Sequence, residues 1–126
     1  MARLALAAIA VSIATTAGAE PWAMVSDAST FKPVTDRDQF VQIVSQGTLS
    51  RFGIKLNVKP DGAIDGRAFG RDVSGAWDWR DGYFCRDLFW GTREVGANCQ
   101  EVMISGNTLR FTSDQGQGRF ADLRLR

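Results

Sequence analysis

"WDWRDGYFCRDLFW", residues Trp77–Trp90, decides the fold. Bulky apolar side chains alternate with polar ones on both sides of Asp81-Gly82, and a period of two is the period of a strand. Asp-Gly between two such runs is the strongest short hairpin signal a sequence offers. A two-residue turn there sets Trp79 opposite Phe84 and Trp77 opposite Arg86.

The neighbouring turns extend this register. Pro60-Asp61-Gly62 suits a type I turn with a glycine bulge, which places Val58 opposite Ile64 and Leu56 opposite Gly66. Gly70-Arg71 sets Ala68 opposite Val73, Gly66 opposite Gly75 and Ile64 opposite Trp77. Gly106-Asn107 pairs Ile104 with Leu109 and Val102 with Phe111. A longer loop over 114–118 lets Phe111 meet Ala121 and Leu109 meet Leu123. Together these pairings put Phe52, Ile54, Leu56, Val58, Ile64, Val73, Trp77, Trp79, Phe84, Leu88 and Trp90 on one face. Val102, Ile104, Leu109, Phe111, Leu123 and Leu125 join them. Agreement between successive hairpins favours a mainly β fold, an antiparallel meander of about seven strands forming a small barrel or strongly curved sheet. Gly66 facing Gly75 either permits tight curvature or leaves a hollow beside Leu56.

Upstream the pattern changes. Thr35-Asp36-Arg37-Asp38 reads as a helix start, with a hydroxyl cap and acids in the first turn. Phe40, Val41, Ile43 and Val44 mark one apolar side of a helix over 36–46, and Gly47 ends it. This one N-terminal α-helix is expected to pack on the sheet. Residues 20–34 are polar and aperiodic, an extended arm.

The first nineteen residues carry Arg3, an apolar run over 4–13 and small residues at Ala17 and Ala19. This is the pattern of a cleaved signal peptide, with cleavage after Ala19; the apolar run is too short to span a bilayer. The domain plan is then a signal peptide over 1–19, an arm over 20–34 and a single barrel-like domain over 35–126. The expected location is periplasmic or secreted, with no transmembrane segment after cleavage. Without Arg3, basic and acidic residues balance at 14 each. That balance argues against a nucleic-acid or anionic-membrane binder. No histidine occurs, which removes the commonest general base and the commonest metal ligand.

The two cysteines, Cys85 and Cys99, fall on the face opposite the aromatics. A pairing in which residue numbers sum to 184 sets them directly across from each other on neighbouring strands. In an oxidising compartment they form a cross-strand disulfide. Two thiolates do not make a zinc site, and a C-x-x-C redox motif is absent. Tyr83, Phe89 and Met103 share this outer face, which is either covered by the helix or a partner-binding patch.

Arg86 is the odd residue of the inner face. It either holds an anionic ligand inside the barrel, with Gln100 as a second polar group, or makes a cation–π contact with Trp77. Acid pairs such as Asp61/Asp65 and Asp78/Asp81 sit in turns, where carboxylates cap backbone donors, and lack the spacing of a calcium loop. Gly66-x3-Gly70 and Gly70-x4-Gly75 lie between strands and open no helix, so they are not phosphate-cradling fingerprints. No catalytic residue, metal ligand or cofactor is assigned.

The blocks "PVTDRDQFVQIV", "DGAIDGRAFGRDVSGAWDWRDGYFCRDLFWG" and "NCQEVMISGNTLRFTSDQGQG" resemble a family of small exported alphaproteobacterial proteins of unknown function. The likeness runs from Phe31 to Arg126 and includes both cysteines. Some members carry the name dihydrodipicolinate reductase, which would imply an NAD(P)H-dependent enzyme. That enzyme is a two-domain cytoplasmic protein with a nucleotide fold and an active-site histidine, and no motif of this chain matches those features. More loosely, Gly75, Trp77, Cys85, Cys99 and Val102 are similar in arrangement to small secreted β-barrel modules, including bacterial protease inhibitors. The reading that follows is a monomeric, disulfide-stapled, non-enzymatic binding or structural module whose partner is a protein or a small ligand.

Overall fold

The computed structural model describes residues 30–126; the expected signal peptide and residues 20–29 of the arm lie outside the described residues. The elements in chain order are β1 (Lys32–Val34), α1 (Arg37–Val44), β2 (Leu49–Arg51), β3 (Ile54–Val58), β4 (Ala63–Ala68), β5 (Arg71–Arg80), β6 (Tyr83–Trp90), β7 (Arg93–Ser105), β8 (Thr108–Thr112) and β9 (Phe120–Leu125). Strands β2 to β9 pair antiparallel in sequence order, and β2 closes the ring by pairing with β9. The result is a closed eight-stranded barrel with one extra strand. That extra strand is β1, the end of the expected arm, which pairs along β7 through Val34 opposite Val102.

Most of the expected register holds. The turns at Pro60–Gly62, Asp81-Gly82, Gly106-Asn107 and the loop after Thr112 all give the pairings read from them. The turn between β4 and β5 does not. Its central residues are Phe69 and Gly70, both at positive φ (49° and 81°), so Gly66 faces Val73 and Gly75 faces Ile64. The slip is two residues along the strand, so every side chain keeps its face. Both glycines still serve curvature. A Cβ on Gly66 would run into the Lys55 carbonyl, and one on Gly75 into the Asp87 carbonyl. Backbones of adjacent strands approach there more closely than any side chain allows.

The core lies inside one half of the barrel and includes Val58, Ile64, Trp77, Phe84, Val102, Leu109, Phe111 and Leu123. Helix α1 closes this half. Its cap is Asp36, whose carboxylate accepts from the Asp38 N–H; Thr35 is not the cap, and its carbonyl instead accepts from the Trp79 indole at 3.2 Å. Phe40 is fully buried among Trp77, Trp79, Phe84 and Phe111. The helix therefore plugs the barrel end and does not cover the outer face beside the cysteines. An eight-residue helix is marginal by itself, and burial of Phe40 and Val44 supplies the stability that its length cannot. Phe52, expected on the inner face, instead stands 93 % exposed at the tip of the β2–β3 turn. Two residues suffice for that turn, since Arg51 already pairs with Ile54.

Candidate functional site

Among the described residues no α-helix closes the end opposite α1. The turns β2–β3, β4–β5 and β6–β7 and the β8–β9 loop gather there, and the interior beneath them holds a cavity of about 190 Å³. Aliphatic and aromatic side chains line most of it, among them Leu56, Ile64, Leu88, Phe111 and Leu123. Towards the rim an apolar hollow of about 370 Å³ shares Ile54, Leu56 and Leu88 with the cavity, adding Phe69, Trp90 and Val95. An eight-stranded barrel is just wide enough to be filled by side chains or to hold one small ligand. Here one half is filled and the other is partly open.

Three polar residues line the cavity: the exposed Arg51 beside the β2–β3 turn, and Arg86 and Gln100 on β6 and β7. The last two point inward because β6 and β7 alternate faces, and Gln100 pairs across from Phe84. The Arg86 guanidinium donates to the Gly96 carbonyl at 2.8 Å. That carbonyl belongs to a β-bulge. The β6–β7 register shifts between Leu88 and Phe89, so Leu88 faces Gly96, Phe89 faces Glu94 and Val95 is the additional residue. Among the described residues no carboxylate forms an ion pair with Arg86. Partial burial pushes its proton affinity below the ordinary arginine value, and the adjacent Asp87 offsets this in part. Gln100 donates weakly to the Ser113 hydroxyl at 3.4 Å.

Trp77 pairs directly across from Arg86, as expected, but the two do not stack. Its indole donates to the Lys59 carbonyl at 2.8 Å, and the guanidinium over its ring is that of Arg37 from α1, at 5.3 Å. Arg86 and Gln100 thus share the cavity wall, while Trp77, the cross-strand neighbour of Arg86, gives its ring to Arg37 and does not line the cavity. Tyr83, Phe89 and Met103 do not form one patch. Tyr83 begins β6 beside the plugged end, Phe89 lies near the other end of that strand, and Met103 sits between Pro33 and Arg110. Six residues of strand separate Tyr83 from Phe89 by roughly 20 Å. Phe89 instead joins the apolar rim.

Cys85 and Cys99 are bonded, directly opposite each other on β6 and β7, as the register requires. The staple lies within one residue of both Arg86 and Gln100, so it ties together the two strands that carry the polar groups. The rim residues Phe69 and Val95 escaped the sequence reading. Phe69 looked like strand, and Val95 is exposed only because the bulge displaces it. Among the described residues no cluster of three or more potential metal ligands occurs, and no helix is long and apolar enough to cross a membrane. Comparison of this chain with protein-family models, curated proteins and solved structures gives no significant match.

Proposed function

We propose that this disulfide-bonded β-barrel domain is a binding module for a small anionic amphiphile, its charged head on Arg86 and its apolar tail directed past Leu56 and Leu88 to the rim. One observation carries the reading. A half-buried guanidinium lines an apolar cavity, makes one hydrogen bond to a backbone carbonyl, and has no carboxylate ion pair among the described residues. A guanidinium carries five donors in a planar fork, a shape that matches a carboxylate. Gln100 supplies a second polar group on the same wall. Ligand pockets combine this type of lining, mostly apolar with a few convergent polar groups. The disulfide supports a periplasmic or secreted location, where such bonds persist.

Displacement of a fluorescent naphthalene sulfonate by dodecanoate, dodecanol and dodecyltrimethylammonium tests the proposal. Dodecanoate is expected to bind best. Arg86→Leu should weaken it by about tenfold or more, the worth of a charge-assisted hydrogen bond, and leave dodecanol unchanged. Equal affinity for dodecanoate and dodecanol, or an Arg86→Leu variant that binds dodecanoate as tightly as the parent, would refute the assignment.

A further inference from the structure

The near-zero net charge conceals a local concentration of cations on the barrel wall. Beside the tip of the β2–β3 hairpin lies an open groove of about 770 Å³ lined by Arg51, Lys55, Arg67, Arg124 and Arg126. Its one acid, Asp122, is held by Arg110 through two bonds of 2.8 and 3.0 Å. Arg67 pairs with Asp72; among the described residues the other four cations make no ion pair.

Phe52 lines the same groove and is 93 % exposed. The next hairpin tip carries Phe69, 64 % exposed, whose N–H donates to the Gly53 carbonyl at 2.8 Å. Phe69 also has φ 49°, a conformation that a bulky side chain rarely adopts and that Gly or Asn would take without strain. Two adjoining turns therefore expose phenylalanine at their tips. Exposed apolar surface concentrated at one place points to a role outside the fold.

We propose that this face docks on the surface of an anionic lipid bilayer, with Phe52 and Phe69 entering the interface and the groove cations meeting lipid phosphates. The chemistry favours lipid over a protein surface. The phenylalanines stand on convex tips flanked by cations, the combination that anchors proteins at the headgroup boundary. The proposal does not require an occupied barrel.

Co-sedimentation of the full chain with phosphatidylcholine vesicles, and with vesicles of equal parts phosphatidylcholine and phosphatidylglycerol, tests it. Residues 1–29 are common to all variants, so differences between variants report this face. Anionic vesicles should retain the parent in a salt-sensitive manner. Phe52→Ser should weaken retention by about tenfold, as expected for one phenylalanine leaving an apolar phase. Arg51→Gln with Lys55→Gln should weaken it by about tenfold or more on anionic vesicles only. Phe52 is exposed, so its variant should melt with the parent. Retention that ignores lipid charge, or that Phe52→Ser leaves intact, overturns the proposal. So does a concentration-dependent dimer abolished by Phe52→Ser, which would assign the face to a second copy. Tight capture on single-stranded DNA, indifferent to Phe52→Ser, would assign the groove to an acidic polymer instead and likewise overturns it.

Discussion

Replacing Phe40 by alanine tests whether the barrel depends on its plug. The side chain is fully buried, with ring centres of Phe84, Trp79 and Trp77 at 5.0, 5.1 and 5.3 Å and of Phe111 at 6.4 Å. Transfer of a phenylalanine out of water contributes about 1.5–3 kcal/mol. Aromatic contacts add roughly 0.5–1.5 kcal/mol per pair, less than additively here because four neighbours share one ring. The cavity left behind cannot readily collapse. Indole hydrogen bonds hold Trp77 to the Lys59 carbonyl and Trp79 to the Thr35 carbonyl. The loss should therefore fall in the upper part of the usual range for such truncations, about 4–5 kcal/mol.

A domain near 100 residues has a total stability of about 5–15 kcal/mol, so this single change brings it close to the unfolding threshold. Tm should drop by roughly 20 °C or more. Urea unfolding followed by tryptophan fluorescence and far-UV circular dichroism measures it, since two of the four contacts are indoles. Phe40→Leu retains most of the volume and should cost about 1–2 kcal/mol. A loss below about 1 kcal/mol for alanine, with circular dichroism unchanged, would mean that α1 merely rests on a self-sufficient barrel. The account of the core as a plugged end would then be wrong.

Two further outcomes follow from the staple and from the Lys59–Asp65 ion pair on the barrel wall. Replacing both Cys85 and Cys99 by alanine should lower unfolding stability by about 3 kcal/mol, the loop-closure value for this spacing, and a midpoint in urea equal to the parent's would contradict it. Asp65 accepts hydrogen bonds from Lys59 at 2.6 Å and from Asn57 at 2.9 Å, which hold its carboxyl below the ordinary aspartate value and raise Lys59 above its own. The pair's contribution is thus complete at neutral pH. It fades as pH falls through the depressed Asp65 value, or rises through the elevated Lys59 value. Both groups are about half exposed, so the effect on stability is small and screened by salt. Carboxyl carbon NMR should find Asp65 titrating below an unpaired aspartate and moving upward in Asn57→Ala; a midpoint at or above the ordinary value would contradict the geometry.

Turns with one defensible reading made most of the barrel legible. Asp81-Gly82, Gly106-Asn107 and Pro60–Gly62 each place glycine where positive φ is needed, and each gives the observed register. The β4–β5 turn had two solutions, because Gly70 can be the first or the second central residue. Steric preference keeps phenylalanine out of positive φ, which selects Gly70-Arg71. A contact distant in sequence, between Phe69 and the Gly53 backbone, selects Phe69-Gly70 instead. Amphipathicity identified the buried side of α1 without saying which surface buries it. The end of a barrel and the outside of a sheet ask the same of a helix. Closure was less legible still. β2 has three residues and meets β9 through Leu49–Leu125 and Ser50–Arg124, a pairing no local pattern announces.

The register of β6 against β7 ties the staple to the candidate site. A two-residue Gly91-Thr92 turn sets Trp90 opposite Arg93, as observed, and continued without interruption it would set Cys85 opposite Asn98. The disulfide requires Cys99 there instead. The two demands differ by one residue, so β7 must hold one extra residue between the turn and the cysteine. That residue is Val95. Without it the alternation along β7 would invert, turning Gln100 and Val102 outward and Cys99 into the barrel. With it, Val95 is put out at the rim, and Gly96 at φ 93° presents its carbonyl to the Arg86 guanidinium. An alanine at that φ would be strained, which accounts for glycine at this position. The one irregularity that reconciles a tight turn with a disulfide therefore also orients Arg86 on the cavity wall. The staple constrains Arg86 and Gln100 through the strand pair that carries them.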